Sequence, residues 1–297
     1  MMFLLFKRSL MGMKRLSAHQ LRCRSALLTA LLSAMTVIQP ITAIAESHSD
    51  TMHESTVTVM VRAVSAPSPE LSLQYPQAVR LEQVLTNAAH HWRKTVTTLN
   101  QPSLAANFTE GHHFIAIQES PLITELVHQL STKLNTIANS NDDNAILAQL
   151  LLLQMKNQQF AARKKIELDL DRVRLRSALN PLLSGEYQLL LSSRPNSVWV
   201  FGAYGEHTLP YHSDYELSDY IATITLSAQN SHSNKSTAWV IAPDGTIERV
   251  DYAYWNNAHY QPALGSTIII GSSDQSEPWQ ALEREFVELI SMSSPSW

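Results

Sequence analysis

The chain of 297 residues holds 22 basic and 26 acidic residues, and its net charge of −4 excludes the basic footprint that general nucleic-acid binding requires. Its single cysteine, Cys23, excludes an intramolecular disulfide. Stability must therefore come from ordinary burial of a core, and the length is enough for one or two domains.

The first 45 residues have the features of a cleavable export signal in the right order. Six basic residues and no acidic one come before the apolar run from Ala26 to Ile38, and the small-residue site Ala43-Ile44-Ala45 follows it. The run is too short for a membrane span, which needs about 20 residues. We expect cleavage after Ala45 and a soluble periplasmic protein. Sixteen basic residues would then face 26 acidic ones, which gives a charge of −10.

The next part of the chain predicts a strand followed by helices. β-branched residues from Ser55 to Val64 predict the strand, and apolar spacing from Val79 to Trp92 predicts a helix. Ser120-Pro121 predicts another helix start, with Ser120 as N-cap. Four leucines at four-residue intervals follow: Leu122, Leu126, Leu130 and Leu134. A polar break at 139–144 and a second apolar helix complete a predicted helical hairpin over residues 121–164.

Residues 166–175 alternate between apolar and charged side chains, which predicts a strand. A strand would place Arg172, Arg174 and Arg176 on one side. Such an arginine strip is either a solvated face or a binding surface for an anion. The second alternative arises because neighbouring cations repel one another unless a negative charge compensates them.

The remaining chain predicts strands at 187–191, 198–201 and 267–270, and a β-hairpin that turns at Asp244-Gly245. An apolar stripe predicts an amphipathic helix from Asp274 to Met292. A strand, a proline-containing loop and a short helix occur twice, about 140 residues apart. This echo predicts two copies of one β-plus-helix module with the helical hairpin between them.

No motif for a cofactor, a metal or a nucleophile stands out. The pairs His90-His91 and His112-His113 cannot chelate by themselves, because adjacent side chains diverge. His212-Ser213-Asp214 lacks the nucleophile elbow of a serine hydrolase, and no phosphate-binding glycine loop occurs. A glycosidase needs only two suitably spaced carboxylates, so a periplasmic polysaccharide-modifying hydrolase stays open as an alternative. The tryptophans could belong to the core or stack on sugars.

Several motifs in a fixed order resemble the GfcC/YjbG family of capsule and exopolysaccharide biosynthesis proteins. The first runs from Arg174 through Asn180-Pro181 and Gly185 to Arg194-Pro195. The others are Trp239-Val240-Ile241-x-Pro243-Asp244-Gly245 and Tyr254-Trp255-Asn256-x-x-His259. The sequence departs from the family at Pro262-Ala263-Leu264-Gly265, where Pro-Gly is expected.

The resemblance implies an α+β protein with two β-grasp-like domains, an inserted helical hairpin and a C-terminal amphipathic helix. The expected boundaries are 1–45 for the signal, 46–120 for the first domain, 121–164 for the hairpin, 165–197 for strands that complete or link the first domain, 198–273 for the second domain and 274–297 for the final helix. It also implies a non-catalytic accessory role, without a cofactor, in export or assembly of a capsular or extracellular polysaccharide. The expected partners are a polysaccharide, an outer-membrane exporter or both, with no membrane span after signal cleavage. Residues proposed to bind them are Arg172, Arg174, Arg176, Arg194, Trp255, Asn256 and His259.

Overall fold

The computed structural model describes residues 56–64, 69–98, 111–225 and 232–294. The predicted export signal and its cleavage site lie outside these ranges. The thirteen strands of the described ranges are β1 Val57–Ala63, β2 Leu71–Tyr75, β3 Val79–Arg80, β4 His113–Ala116, β5 Gln159–Phe160, β6 Leu182–Leu183, β7 Glu186–Leu191, β8 Ser197–Gly202, β9 His207–Pro210, β10 Thr237–Ile241, β11 Ile247–Asp251, β12 Thr267–Ile270 and β13 Ser293–Ser294. The α-helices there are α1 Leu81–Thr98, α2 Ser120–Ala138, α3 Ala145–Asn157, α4 Leu170–Leu175, α5 Leu217–Thr225 and α6 Glu277–Ser291.

The first sheet has the strand order β2-β1-β7-β4. Strands β1 and β2 are antiparallel, β1 and β7 are parallel, and β7 and β4 are antiparallel. Helix α1 packs against this sheet through an apolar face that includes Leu81, Val84 and Trp92, all buried. The alternation of buried and exposed residues along β1 shows that one face of the strand points into this core.

The second sheet has the order β11-β10-β12-β8-β9 and repeats the arrangement of the first. Strands β8 and β9 are antiparallel, β8 and β12 are parallel, and β12 and β10 are antiparallel. A helix, α5, again follows the first strand pair, as α1 does in the first sheet. The predicted β-hairpin forms the edge, with Ile241 opposite Ile247 and a turn that contains Gly245. The protein is therefore α+β, and its two sheets share strand order and direction.

Helices α2 and α3 pack against each other and against the core of the second sheet. Leu130, Leu134 and Leu151 are buried in that core, whereas Leu122 and Leu126 are exposed. The four-residue leucine spacing therefore marks a stripe that is buried only in its second half. Ser120 is the first residue of α2 and does not cap it, because a 3-10 turn over Ile117–Glu119 runs directly into the helix.

The strand predicted at 166–175 is wrong. Residues 164–169 are irregular, and 170–175 form helix α4, whose N-terminus is capped by Asp169 through bonds from Asp171 N (2.9 Å) and Arg172 N (3.2 Å). The Asp169 carboxylate accepts hydrogen bonds from the backbone N–H groups at the start of the helix. This local bonding outweighs the preference for a strand that the alternation of apolar and charged residues indicates. The predicted arginine strip is not formed, because Arg172 and Arg174 lie two apart on a helix and point in nearly opposite directions, and Arg176 lies beyond the end of that helix.

Helix α6 is buried along the predicted stripe. The stripe residues all lie in the second core: Trp279, Leu282, Phe286, Leu289 and Ile290. On its polar side, Glu285 pairs with Lys133 of α2 at 2.7 Å. Glu283, in contrast, turns inward, and burial raises the pKa of this carboxyl group, while the bond that it accepts from Trp239 Nε1 (2.7 Å) acts in the opposite direction. Within the described ranges, no helix is long and apolar enough to cross a membrane.

Gln154 ties the helical hairpin to the end of β8. Its Nε2 donates to Gly202 O (2.9 Å), and its Oε1 accepts from Gly202 N (2.7 Å). Gly202 has φ of 97°, and a Cβ atom there would lie 2.1 Å from Ile270 O. This backbone conformation therefore requires glycine. Its N–H group depends on the buried Gln154 side chain, whereas its carbonyl oxygen also accepts a bond from Gly205 N (3.0 Å).

We predict that Gln154→Met lowers the free energy of unfolding by about 1–3 kcal/mol, because the Gly202 N–H group loses its partner, whereas Gly202 O keeps its bond from Gly205 N. Urea denaturation measures the change. The matched control is Gln129→Met on the exposed side of α2, which we expect to change the same quantity by less than about 0.5 kcal/mol. Equal stability of the two variants would contradict this role of Gln154.

Candidate binding cleft

Residues 159–164 connect the second core with the first sheet. Strand β5 pairs with β13 at the end of α6, and Ala161 N donates to Met292 O (3.0 Å). Further along, Ala116 N donates to Ala162 O (2.9 Å) and Lys164 N donates to Phe114 O (2.7 Å), so the segment lies along β4. Arg163 sits in the middle of this stretch, where it bridges to Ile115.

The side chain of Arg163 reaches the β10–β11 turn of the second sheet. Its Nη2 donates to Pro243 O, and the guanidinium lies beside Gly245. A Cβ atom at Gly245 would lie 3.4 Å from Arg163 Cζ, and the φ of 88° also favours glycine there. The predicted Asp-Gly turn therefore has a second purpose besides reversing the chain, since it leaves room for a cation.

Arg163 is a poorly compensated cation. Burial lowers its pKa to about 10, while the charge of Asp244 acts in the opposite direction, so the group stays charged at neutral pH. In the described part of the chain, no carboxylate oxygen lies within ion-pairing distance of it. A guanidinium has five donor hydrogens, and a buried charge is costly without an opposite charge. Arg163 is therefore suited to receive an anion.

Two depressions meet at Arg163 and Pro243. The first, which we call the binding cleft, is bounded by the two sheets and by the C-terminal end of α6; its lining includes His113, Arg163, Trp199, Phe201, Glu206 and Thr208. The second, which we call the basic groove, is lined by Arg163, Lys164, Lys165, Arg172, Asp244, Thr246 and others. Four basic side chains thus line one groove of a chain that is acidic as a whole.

Two histidines and one glutamate are further titratable side chains around Arg163. Burial lowers the pKa of His113 to about 3, with smaller effects from Arg163 and His112, and burial lowers the pKa of His112 to about 4. Both imidazoles are therefore neutral at pH 7, and His112 Nδ1 accepts a bond from Ser192 N (3.1 Å). Glu206 accepts bonds from two amides of the hairpin end, which hold its carboxylate at the rim of the binding cleft.

The structure separates the binding residues that the sequence predicted. Arg172 lines the basic groove but pairs with Glu167 at 2.8 Å. Arg174 is held by Glu82 (3.2 Å) and by Thr86 Oγ1 (3.1 Å) of α1. Arg176 and Arg194 are exposed. Their roles in binding stay predictions, but the geometry does not gather them at the cleft.

Trp255, Asn256 and His259 belong to a different surface, the loop that follows β11. Trp255 is 73% exposed, whereas His259 Nδ1 contacts the Glu216 carboxylate at 3.0 Å. Asn256 turns inward, where its Nδ2 donates to Ser236 O (3.4 Å). Arg163 is not among the residues that the sequence predicted to bind, because no spacing around it indicates a cleft.

The described residues offer little support for metal or nucleophile chemistry. In ranges 56–64, 69–98, 111–225 and 232–294, no three His, Cys, Asp or Glu side chains are grouped to hold a metal ion. His212, Ser213 and Asp214 are exposed, and the His212 ring stacks on Tyr215 with 4.4 Å between centroids.

Comparison with known proteins gives two family matches and a relative. The model named "Capsule biosynthesis GfcC, N-terminal" matches residues 54–194, and "Capsule biosynthesis GfcC C-terminal" matches residues 205–293. The chain is also similar to the "Uncharacterized protein YjbG" of Escherichia coli (strain K12), with 29% identity over 220 residues, which cover 72% of this chain and 86% of the relative.

We predict that the protein loses stability as the pH falls below about 6.5, because the unfolded state then binds protons that His112 and His113 cannot accept until pH 4 and 3. Each histidine contributes a slope of up to about 1.4 kcal/mol per pH unit in that window. Urea denaturation at several pH values measures it. His112→Gln keeps an acceptor for Ser192 N and should flatten the curve, whereas His91→Gln on the exposed side of α1 should not. An unchanged slope in the first variant would contradict the assignment.

Proposed function

As the chain belongs to the GfcC family of capsule biosynthesis proteins, we propose that it is a non-catalytic periplasmic accessory protein for export or assembly of a capsular or extracellular polysaccharide. Its export would use the signal at residues 1–45. Its two sheets would be β-grasp modules, with helices α2 and α3 as an insertion between β4 and β7. The shared strand order and direction of the two sheets support this interpretation.

The observation that carries the proposal is the guanidinium of Arg163 between the sheets. It is charged, half-buried and without an ion pair among the described residues, and it faces both the binding cleft and the basic groove. A carboxylate on a sugar residue of an acidic polysaccharide has the charge and the two acceptor oxygens that suit this group. We therefore assign the cleft to an acidic glycan, with the exporter as a partner elsewhere on the surface.

The chemistry of the lining favours binding over cleavage. Glycoside hydrolysis requires two carboxyl groups across the scissile bond. Glu206 is the carboxylate at the binding cleft among the described lining residues, and the basic groove has Asp244 and the ion-paired Glu167. The cation Arg163 between them would stabilise a bound anion rather than a developing oxocarbenium ion.

We predict that Arg163→Gln weakens binding of short acidic oligosaccharides, such as oligogalacturonate, by about 10- to 100-fold, because a charge-assisted contact is worth about 1.5–3 kcal/mol. Isothermal titration calorimetry measures the affinity. Glutamine can still donate to Pro243 O and removes a buried charge, so unfolding free energy should fall by less than about 1 kcal/mol.

The control for this prediction is Arg62→Gln, which removes an exposed arginine paired with Glu70 on the first sheet and should leave the affinity unchanged. Equal binding by both variants would overturn the assignment of the cleft. Release of reducing ends from an acidic polysaccharide by the purified protein would instead support the hydrolase.

A further inference from the structure

Two aromatic side chains stand at the tip of the loop after β11. Tyr254 is 100% exposed and Trp255 is 73% exposed. They occupy the two central positions of a β-turn, because Asn256 N donates to Ala253 O (3.0 Å) while Ala253 is buried. We call this tip, residues 253–256, the aromatic turn.

Nothing in the local structure explains aromatic residues at these positions. Central turn positions favour Gly, Pro, Asn, Asp and Ser for conformational reasons, and Tyr-Trp supplies none of these. Other tryptophans of the described ranges lie in or against a core: Trp92, Trp199, Trp239 and Trp279. The aromatic turn instead holds two large apolar surfaces in water, and such surfaces commonly mark a binding site.

The loop that carries the aromatic turn is firmly held. Tyr252 Oη donates to Asn234 O (2.6 Å), and Ala258 N donates to Asp251 O (3.1 Å). Beyond the turn, Leu217 N of α5 donates to Tyr260 O (2.8 Å). Because the backbone is fixed on both sides, the two rings are presented with little conformational entropy left to lose on binding.

Polar side chains that follow the aromatic turn are held in place by hydrogen bonds. Glu216 accepts a bond from Asn257 Nδ2 (3.1 Å), and its carboxylate lies 3.0 Å from His259 Nδ1. His259 has φ of 52°, held by a bond from its N to Asn257 Oδ1 (3.0 Å). The site therefore combines apolar ring faces with fixed acceptors and donors in the same loop.

We propose that the aromatic turn is a second glycan site, at which Trp255 and Tyr254 stack on the uncharged C–H face of a pyranose ring. A pyranose has an apolar face and a rim of hydroxyl groups, which matches two exposed aromatic rings in a loop that also carries Asn257 and His259, both in contact with Glu216. A protein partner would require further apolar surface around the rings. The exposed aliphatic side chains of the helical hairpin lie on α2 and α3, whereas polar residues follow the aromatic turn.

The aromatic turn is distinct from the binding cleft. The β10–β11 turn that contacts Arg163 lies at one end of β11, and the aromatic turn follows its other end. Five residues of strand separate them, roughly 16 Å at 3.3 Å per residue. The choice of a glycan as ligand rests on the proposed function. The two sites would nevertheless bind different chemical groups, because the cleft would bind a carboxylate and the aromatic turn would bind the uncharged face of a sugar ring.

The test is titration of the ¹⁵N-labelled mature protein with short neutral hexose oligosaccharides (malto-, cello- and galacto-oligosaccharides), observed at the tryptophan indole N–H signals by NMR. We expect the Trp255 signal, assigned by its loss in Trp255→Phe, to shift with at least one of these sugars. Trp255→Ala should weaken the affinity by about three- to tenfold, the range for loss of one ring contact, and Trp255→Phe should weaken it less.

The control is Leu175→Ala, which removes an 83% exposed apolar side chain from α4 and should leave binding unchanged. Arg163→Gln should also leave neutral sugars unaffected, so failure of the cleft and failure of the aromatic turn give different results. An unperturbed Trp255 signal with every sugar would overturn the proposal. So would a Trp255→Ala variant that binds sugars normally but loses cross-linking to an exporter protein.

Discussion

The relation between the two sheets depends on a short stretch of backbone hydrogen bonds made by residues 159–164. One end of this stretch pairs with the strand after α6, and the other lies along β4 of the first sheet. These bonds fix the position of Arg163, whose side chain then reaches the β10–β11 turn. They also cover the free edge of β4, which would otherwise present unpaired backbone groups to other chains. The same contacts thus position Arg163 and protect a sheet edge.

A guanidinium in this position is stabilised less than an ordinary structural arginine. Its neighbours His112 and His113 are neutral, and its nearest opposite charge, Asp244, acts without an ion pair among the described residues. In contrast, Arg172 and Arg174 each have a carboxylate partner. Burial without compensation is unfavourable for folding but favourable for capture of an anion, because the electrostatic attraction is stronger away from bulk water.

Local patterns in the sequence predicted most of the elements, while the site depends on contacts distant in sequence. The hairpin of α2 and α3 and the Asp244-Gly245 turn follow from spacing and turn chemistry that act over a few residues. The alternation at 166–175 misled because Asp169 caps a six-residue helix, and so short a helix shows no clear period. No local pattern indicated a role for Arg163, because its cleft brings together β4, β8 and the turn at 243–245, which are distant in sequence. Trp255 was predicted to bind, but its exposure depends on a β-turn at 253–256 that no turn-forming residues in the sequence indicated.

The pairing of strands has a consequence for the order of folding. The first sheet joins Thr58 of β1 to Glu186 of β7, so it cannot close until the hairpin has been made. The hairpin, however, buries Leu130 and Leu151 in a core that also needs Phe286 of the final helix. The two cores are interleaved along the chain, because the hairpin that packs in the second core lies between the strands of the first. Such long-range closure slows folding and favours cooperative acquisition of both cores. During folding, the apolar side of the hairpin therefore stays open to aggregation until the last helix has joined the second core.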